Sequence, residues 1–193
     1  MRRVTGILLA AGRGTRFGGD KLLAALPDGT TLGAAAARAM MRVLPRVVAV
    51  VRPEDALLRR RLEEEWVDVV ECVEAARGMG RSLACGIAAA SEADAWLIAL
   101  ADMPYIKDSS YRRVAEALAG GAELAAPRHG GRRGHPVGFG AGFRGALLAL
   151  DGDRGARDLF SAHAGAARLI EVDDAGVLQD VDTPQDLCPS ATS

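Results

Sequence analysis

The sequence predicts an α/β layered fold built on a largely parallel sheet. Three observations predict it: short aliphatic runs recur along the chain, longer stretches at helical spacing separate them, and the runs are apolar almost throughout rather than at every second residue. Strands covered by helices on both faces have that continuous character, and strand–helix alternation is what the crossovers of a parallel sheet require. A chain of 193 residues with 49% hydrophobic content suits one domain with a substantial core.

The runs "VTGILLA" (Val4 to Ala10), "RVVAVV" (Arg46 to Val51), "VDVVE" (Val67 to Glu71), "AWLIALA" (Ala95 to Ala101) and "AELAAP" (Ala122 to Pro127) are read as strands. Helices are expected between them, over about 32–44, 54–65, 81–91 and 109–119. Beyond Arg128 the pattern is less regular: a Gly/Arg-rich segment, helices near 143–150 and 156–163, then short strands at 168–172 and 179–181. Trp66, Trp96, Met40 and Met41 fall at helix or strand positions and are expected in the core. No repeat or linker divides the chain, so a single domain over 1–188 is expected, with a loose tail at 189–193.

The formal net charge is -1, so nothing in the balance asks for a nucleic-acid partner or an anionic membrane surface. The apolar run after Arg2 and Arg3 is interrupted by Gly12 and Arg13, too early for a secretory h-region or a membrane span, and a cytoplasmic protein is expected. Cys72, Cys85 and Cys188 form no C-x-x-C pair, which argues against a disulfide framework or a zinc site.

The loop "LLAAGRGTRFGGDK", Leu8 to Lys21, follows the first strand directly. Ligands of such folds sit beyond the carboxyl ends of the strands, where glycines let backbone N–H groups close on an anion. A Walker A loop needs Gly-Lys-Ser/Thr, and here Lys21 lies between Asp20 and Leu22. Gly12, Gly14 and Gly18 give G-x-G-x-x-x-G with Arg52 at the end of the second strand, the layout of an NADP site. Against that reading, Gly18, Gly19 and Asp20 fall where the fingerprint's helix would make its second turn. Asp102 in "LADMP" either holds a Mg²⁺ on phosphate oxygens or caps the next turn. Asp182 in "DVDTPQDL" either caps a helix opened by Thr183-Pro184 or is a second metal ligand. Of 24 basic residues only Lys21 and Lys107 are lysine, so a compact ammonium at position 21 stands out.

In that order and spacing, "LLAAGRGTRFGGDK", "LADMP" and "DVDTPQDL" resemble the nucleotidyltransferases of the glycosyltransferase-A-like superfamily. "RGMGRSLACGI" (Arg77 to Ile87), "GHPVGF" (Gly134 to Phe139) and "GDRGARDL" (Gly152 to Leu159) are similar to its molybdenum cofactor cytidylyltransferase branch. The resemblance implies a three-layer Rossmann-like fold with a mixed, mostly parallel sheet of the nucleotide-diphospho-sugar transferase type. It implies transfer of CMP from CTP to the terminal phosphate of molybdopterin or molybdenum cofactor, with release of pyrophosphate. A molybdoenzyme or its chaperone would then receive the product.

Residue by residue, the resemblance places Ala10, Ala11, Gly12, Gly14, Arg16 and Lys21 on the nucleotide, with Gly80, Ser82 and Leu83 on its base. It makes Arg16, Lys21 and Asp102 catalytic, gives magnesium to Asp102 and Asp182, and puts His135, Asp153 and Arg157 on the acceptor substrate. Ser82 would cap the helix that begins there. Arg132 and Arg133, between glycines, are either a mobile anion-catching tip or an exposed hairpin turn. Ala11 stands where related guanylyltransferases show glycine, which favours CTP over GTP by sterics. Two other readings remain open: another nucleotidyl transfer, to a GTP-using cofactor or a sugar phosphate, and an NADPH-dependent reductase on the same scaffold.

Overall fold

The computed structural model describes residues 1–12, 17, 20–153 and 155–187. Arg13, Gly14, Arg16 and the tail at 189–193 therefore lie outside the described residues. The elements run β1 (Val4–Leu9), α1 (Leu32–Met41), β2 (Val47–Val51), α2 (Ala56–Glu63), β3 (Asp68–Glu71), α3 (Met79–Ala89), β4 (Ala95–Leu100) and α4 (Asp108–Ala119). Then come β5 (Leu124–His129), β6 (Arg132–Arg133), β7 (Val137–Gly140), α5 (Arg144–Leu148), α6 (Ala156–Ala162) and β8 (Arg168–Glu171), with short 3-10 turns between.

One eight-stranded sheet joins them in the order β3-β2-β1-β4-β7-β5-β6, with β8 parallel to β5. The first four neighbours are parallel, and β7 enters antiparallel between β4 and β5. The sheet is thus mixed and mostly parallel, as expected. Successive residues of a strand point to opposite faces. On β1, Leu8 joins Met40, Leu62, Tyr111 and Leu118 under α1, α2 and α4. Its neighbour Ile7 joins Leu83, Ile87, Trp96, Phe139 and Phe160 under α3, α5 and α6. Two apolar layers are why these strands carry no polar alternation. Among the described residues no helix is long and apolar enough to cross a membrane.

Three expectations are corrected. Residues 179–181 form no strand; they run as a connecting segment whose Val181 N–H donates to the Asp102 carbonyl at 2.9 Å. Trp66 is 86% exposed with φ +64, because the turn from α2 into β3 takes its left-handed residue there and throws the indole outward. Trp96 and Met40 are fully buried, and Met41 is half-buried. The third correction is β7, hidden in "PVGFG". Its Gly138 sits where the Leu118 side chain fills the space above the sheet, and Val137 and Phe139 carry its buried contacts.

Asp174 fixes the path of the chain after β8. This buried carboxylate accepts from the Ser110 hydroxyl (2.6 Å), the Lys107 amide (2.9 Å) and the Gly176 amide (3.0 Å). Such saturation is what a buried charge requires. It ties the start of α4 to the 3-10 turn Ala175–Leu178, whose Val177 carbonyl accepts from the His135 amide. A β-carbon at Gly134 would collide with that same carbonyl, so the residue before His135 has to be small. The segment leading into β7 and the segment leading to Asp180 and Asp182 are thereby held side by side.

Candidate functional site

The carboxyl ends of β1 and β4 open on one cleft of about 530 Å³, lined by Ala10, Ala11, Gly12, Lys21, Arg52, Asp55, Met79, Ser82, Asp102 and Asp153 among others. The Ala10 amide is spent on the Val50 carbonyl (2.9 Å), so Ala10 closes the sheet and the free loop begins at Ala11. Arg52 donates from Nε to the Ala11 carbonyl at 2.8 Å and holds the loop where it leaves the strand. Glu54 and Asp55 flank the same guanidinium at 3.8 and 3.9 Å.

At the mouth of the cleft stands an acidic trio. One carboxylate oxygen from each of Asp102, Asp180 and Asp182 lies within 4.8 Å of the others. Asp102 follows β4, pinned by the Met103 amide on the Leu100 carbonyl. Asp180 and Asp182 are two residues apart on an extended segment, which turns both to the same side. At the start of the 3-10 turn Pro184–Leu187, Asp186 accepts from the Thr183 amide and hydroxyl at 2.8 Å each.

Lys21, only 8% exposed, points into the trio: Nζ donates to Asp102 Oδ2 at 2.9 Å and to Asp182 Oδ1 at 3.2 Å. Burial by itself would lower the pKa of this ammonium; hydrogen bonds and charge from Asp102 and Asp182 outweigh it and raise the pKa above its ordinary value. One ammonium neutralises three carboxylates only in part. Asp102 Oδ1 is buried with no hydrogen-bond partner among the described residues. An oxygen-only donor set with an unpartnered buried oxygen fits a hard divalent cation such as magnesium.

The loop before α3 forms the far wall. Gly78 has φ +121, and a β-carbon there would collide with the Gly152 backbone. The Gly80 amide donates to the Gly152 carbonyl at 2.9 Å. This packing brings Asp153 to the cleft lining beside Met79 and Ser82. Three site residues behave differently from the expectation drawn from the resemblance. Gly80 has its amide engaged, and Leu83 is fully buried in the core layer. Ser82 caps nothing: α3 begins at Met79 with Gly78 at its N-cap, so Ser82 sits within the first turns.

His135 ends the segment before β7. Ile98 pairs with Val137 in antiparallel register, so His135 falls beyond the end of β4, on the edge that carries Asp102. Burial, chiefly, and the charge of Arg133 push its imidazole pKa down to about 4 against an opposing pull from Asp180. Its Nδ1 is buried and unpartnered among the described residues. Arg133 belongs to the two-residue strand β6, with the turn itself at Gly130 and Gly131, and its guanidinium lies 4.5 Å from the Phe160 ring centroid. Arg157 is exposed on α6, near enough to Arg133 for their charges to oppose.

Asp180, Arg52 and the pairing of Arg133 with Arg157 escaped sequence reasoning. The signal for Asp180 was present in "DVD", whose alternation presents two carboxylates on one side of an extended segment. No local pattern announces that Arg52 holds a loop 41 residues away.

A model of the MobA-like NTP transferase domain matches residues 6–167. The chain is 32% identical to nicotine blue oxidoreductase of Paenarthrobacter nicotinovorans, covering 95% of this chain and 94% of that protein. It is equally 32% identical to the purine catabolism protein PucB of Bacillus subtilis (strain 168), over 94% and 92%. Among solved structures it is similar to Rv0371C of Mycobacterium tuberculosis H37Rv in complex with manganese, with TM-score 0.80, 27% identity and 95% of both chains covered. With most of its length matched by the family model and by two relatives over nearly their whole extent, the chain belongs to the MobA-like NTP transferase domain family of nucleotidyltransferases.

Proposed function

We propose that the protein transfers CMP from CTP to the phosphate of molybdopterin or molybdenum cofactor, releasing pyrophosphate. The observation that carries the nucleotidyl chemistry is the trio of Asp102, Asp180 and Asp182 with its unpartnered buried oxygen, next to Lys21 at the mouth of a cleft floored by the first loop. Support for a pterin acceptor comes from the three stretches that resemble the cytidylyltransferase branch. They pack on one another or on neighbouring segments: Gly78 and Gly80, at the start of α3, pack on Gly152, and Gly134 and His135 pack on the Val177 carbonyl of the segment leading to Asp180.

Asp102, Asp180 and Asp182 would hold magnesium, which supplies positive charge to the triphosphate and polarises its α-phosphoryl group. The acceptor phosphate is already anionic near neutral pH and needs no strong base. One of its oxygens attacks the α-phosphorus, a new P–O bond forms, the α–β bridging bond breaks, and pyrophosphate leaves with the electron pair. The chain's own work is positioning and charge. Ala11 and Gly12 bound the cleft floor, Arg52 keeps that floor in place, and Lys21 is near enough to the trio to pass its charge to the departing pyrophosphate. Ala11, 9% exposed and lining the cleft, narrows the base end in favour of a pyrimidine.

A reductase reading is favoured by the 32% identity to nicotine blue oxidoreductase. Two observations weigh against it. Arg52, the residue that would take a 2′-phosphate, is already bonded to the Ala11 carbonyl and flanked by Glu54 and Asp55. The acidic trio would also have no role. A thermal-shift panel of CTP, GTP and NADPH with and without Mg²⁺, followed by pyrophosphate release from CTP and molybdopterin, tests the proposal. Metal-dependent stabilisation by CTP is expected. Stabilisation by NADPH alone, indifferent to metal, would overturn nucleotidyl transfer.

A further inference from the structure

We infer that Cys72 and Cys85 are a dithiol that a low-molecular-weight disulfide converts to an intramolecular disulfide, clasping the stretch of cleft wall that runs between them. The inference is independent of the nucleotidyl-transfer reading and concerns two residues which that reading does not use.

No C-x-x-C spacing announces the pair, because its members lie on different elements: Cys72 follows β3 directly and Cys85 stands in α3. The fold brings them together reciprocally. Cys72 directs its thiol to the Arg81 carbonyl at 3.8 Å. Within an α-helix that carbonyl accepts from the amide four residues on, which is that of Cys85. The Cys85 thiol in turn reaches the Glu71 carbonyl at 4.0 Å, on the peptide unit that Cys72 completes. Each sulfur thus lies against the main chain that carries the other, the mutual orientation that bridging requires. Both belong to the apolar layer under α3. Burial, chiefly, and then the charge and hydrogen bond of Cys72 push the Cys85 thiol up to about 11, as two sulfurs sharing one apolar space should.

Both ends of the clasp are anchored. The Cys72 amide donates to the Val51 carbonyl at 2.9 Å, extending the β2–β3 ladder by one residue, and the Cys72 carbonyl accepts from the Ala75 amide at 3.0 Å. Cys85 sits in the middle of α3, a helix of 11 residues. The segment between them carries Ala75, Ala76, Gly78, Met79 and Ser82 into the cleft lining. A covalent link across its base closes a loop around that wall and removes conformations in which it swings away from the sheet.

Access is one-sided: Cys72 is 3% exposed, whereas Cys85 is partly exposed. An external reagent therefore meets Cys85 first. Its thiolate attacks one sulfur of oxidised glutathione, a mixed disulfide forms, and reduced glutathione leaves. The Cys72 thiolate then attacks the Cys85 sulfur, the internal S–S bond forms, and a second reduced glutathione departs. Two protein thiols are oxidised, one external disulfide is reduced, and the two thiol protons pass to the departing glutathiones. A thiol held protonated reacts slowly, so the pair rests as thiols until such a reagent is supplied.

The test incubates the full-length protein with excess oxidised glutathione to equilibrium, alkylates the remaining thiols and maps the cysteine-bearing peptides by mass spectrometry. A crosslink between Cys72 and Cys85 that dithiothreitol reverses is expected. In Cys72→Ala the reaction should halt at a glutathione adduct on Cys85, and in Cys85→Ala the Cys72 thiol should stay unmodified. Free thiols at both positions of the unsubstituted protein, a lasting glutathione adduct on Cys85, or a crosslink from either residue to Cys188 would each overturn the pair. The crosslinked protein should melt at least about 3 °C above the reduced one, and amide exchange over residues 73–84 should slow at least about tenfold. A crosslink that forms and leaves that exchange unchanged would overturn the clasp. If the buried Cys72→Ala does not fold, the unsubstituted protein and Cys85→Ala still decide the matter.

Discussion

The two halves of one sheet edge pose different electrostatic problems. Beyond β1 and β4, carboxylate oxygens of Asp102, Asp180 and Asp182 cluster within 4.8 Å, and buried Lys21 bonds two of them, leaving Asp102 Oδ1 without a partner among the described residues. Beyond β5 and β6, the His135 imidazole is buried with an Nδ1 that has no partner among the described residues, and it feels Arg133 and Asp180 as opposing charges. A metal–triphosphate and a phosphorylated acceptor would supply what each half lacks. The contrast teaches that one sheet edge offers two chemically different ends, an acidic one set by strand-end residues and a buried imidazole at the start of β7; on the proposed reading these would divide nucleotide from acceptor.

The contrast breaks most completely at Asp102. Asp102→Asn keeps the strand end and its backbone bond to Val181 but removes the charge of one of the two carboxylates bonded to Lys21. Turnover should fall about 10³-fold, a loss of the size seen when one preorganised transition-state contact is removed, while melting stays within a few degrees. Activity within a few fold of the unsubstituted protein and a collapsed melting temperature would make Asp102 structural. Asp182→Asn should cost less, since Asp102 and Asp180 remain.

Lys21→Met sharpens the same half. Turnover should drop about 10²-fold, more in kcat than in KM for CTP, because the lysine is asked to meet charge that grows as pyrophosphate departs. Asp102 and Asp182 side chains are 28% and 33% exposed, so losing their cation should cost about 1–3 kcal/mol, between the values for exposed and buried pairs. Added Mg²⁺ should raise the melting temperature of this variant more than that of the unsubstituted protein. An equal rise in both would show that Lys21 and the metal do not share the trio.

The base end is the next test. CTP should be preferred over GTP by at least about tenfold in kcat/KM, the discrimination a single methyl-sized clash can give. Ala11→Gly should erode that ratio, and a ratio left untouched would remove Ala11 from base selection.

The smallest effect belongs to His135. Its pKa is held near 4 in the folded chain against about 6.5 unfolded. Between those values the unfolded chain binds the extra proton, so stability falls as pH drops from about 6.5 toward 4, by about 3 kcal/mol at most. His135→Gln should flatten that limb of a chemical-denaturation series across pH. An unchanged limb would mean another group carries it.

Much of this fold was legible because burial on both faces leaves no ambiguity in a run such as "VVAVV", where every residue of β2 is buried. Asp102 was legible for the same reason, standing just past such a run, whereas Asp180 follows no strand and was missed. β7 was not, because glycine and proline mask a strand whose conformation comes from its two antiparallel neighbours. Trp66 was misplaced because hydrophobicity says nothing of a left-handed turn. The expectation of a strand at 179–181 caught its extended backbone but not its partner, which is the single carbonyl of Asp102. That Arg133 rests over Phe160 was not legible, because the two lie on different elements far apart in sequence.

That single bond from Val181 to Asp102 has a bearing on biosynthesis. Lys21 lies 81 residues before Asp102 and 161 before Asp182. A chain emerging from the ribosome can pair β1 through β4 long before residues 180–182 are made. Contacts this distant in sequence are the costliest to close and the slowest to form. The nascent protein would therefore pass through a stage with a nearly complete sheet and an incompetent cleft, protected from binding nucleotide until the rest of its body is built.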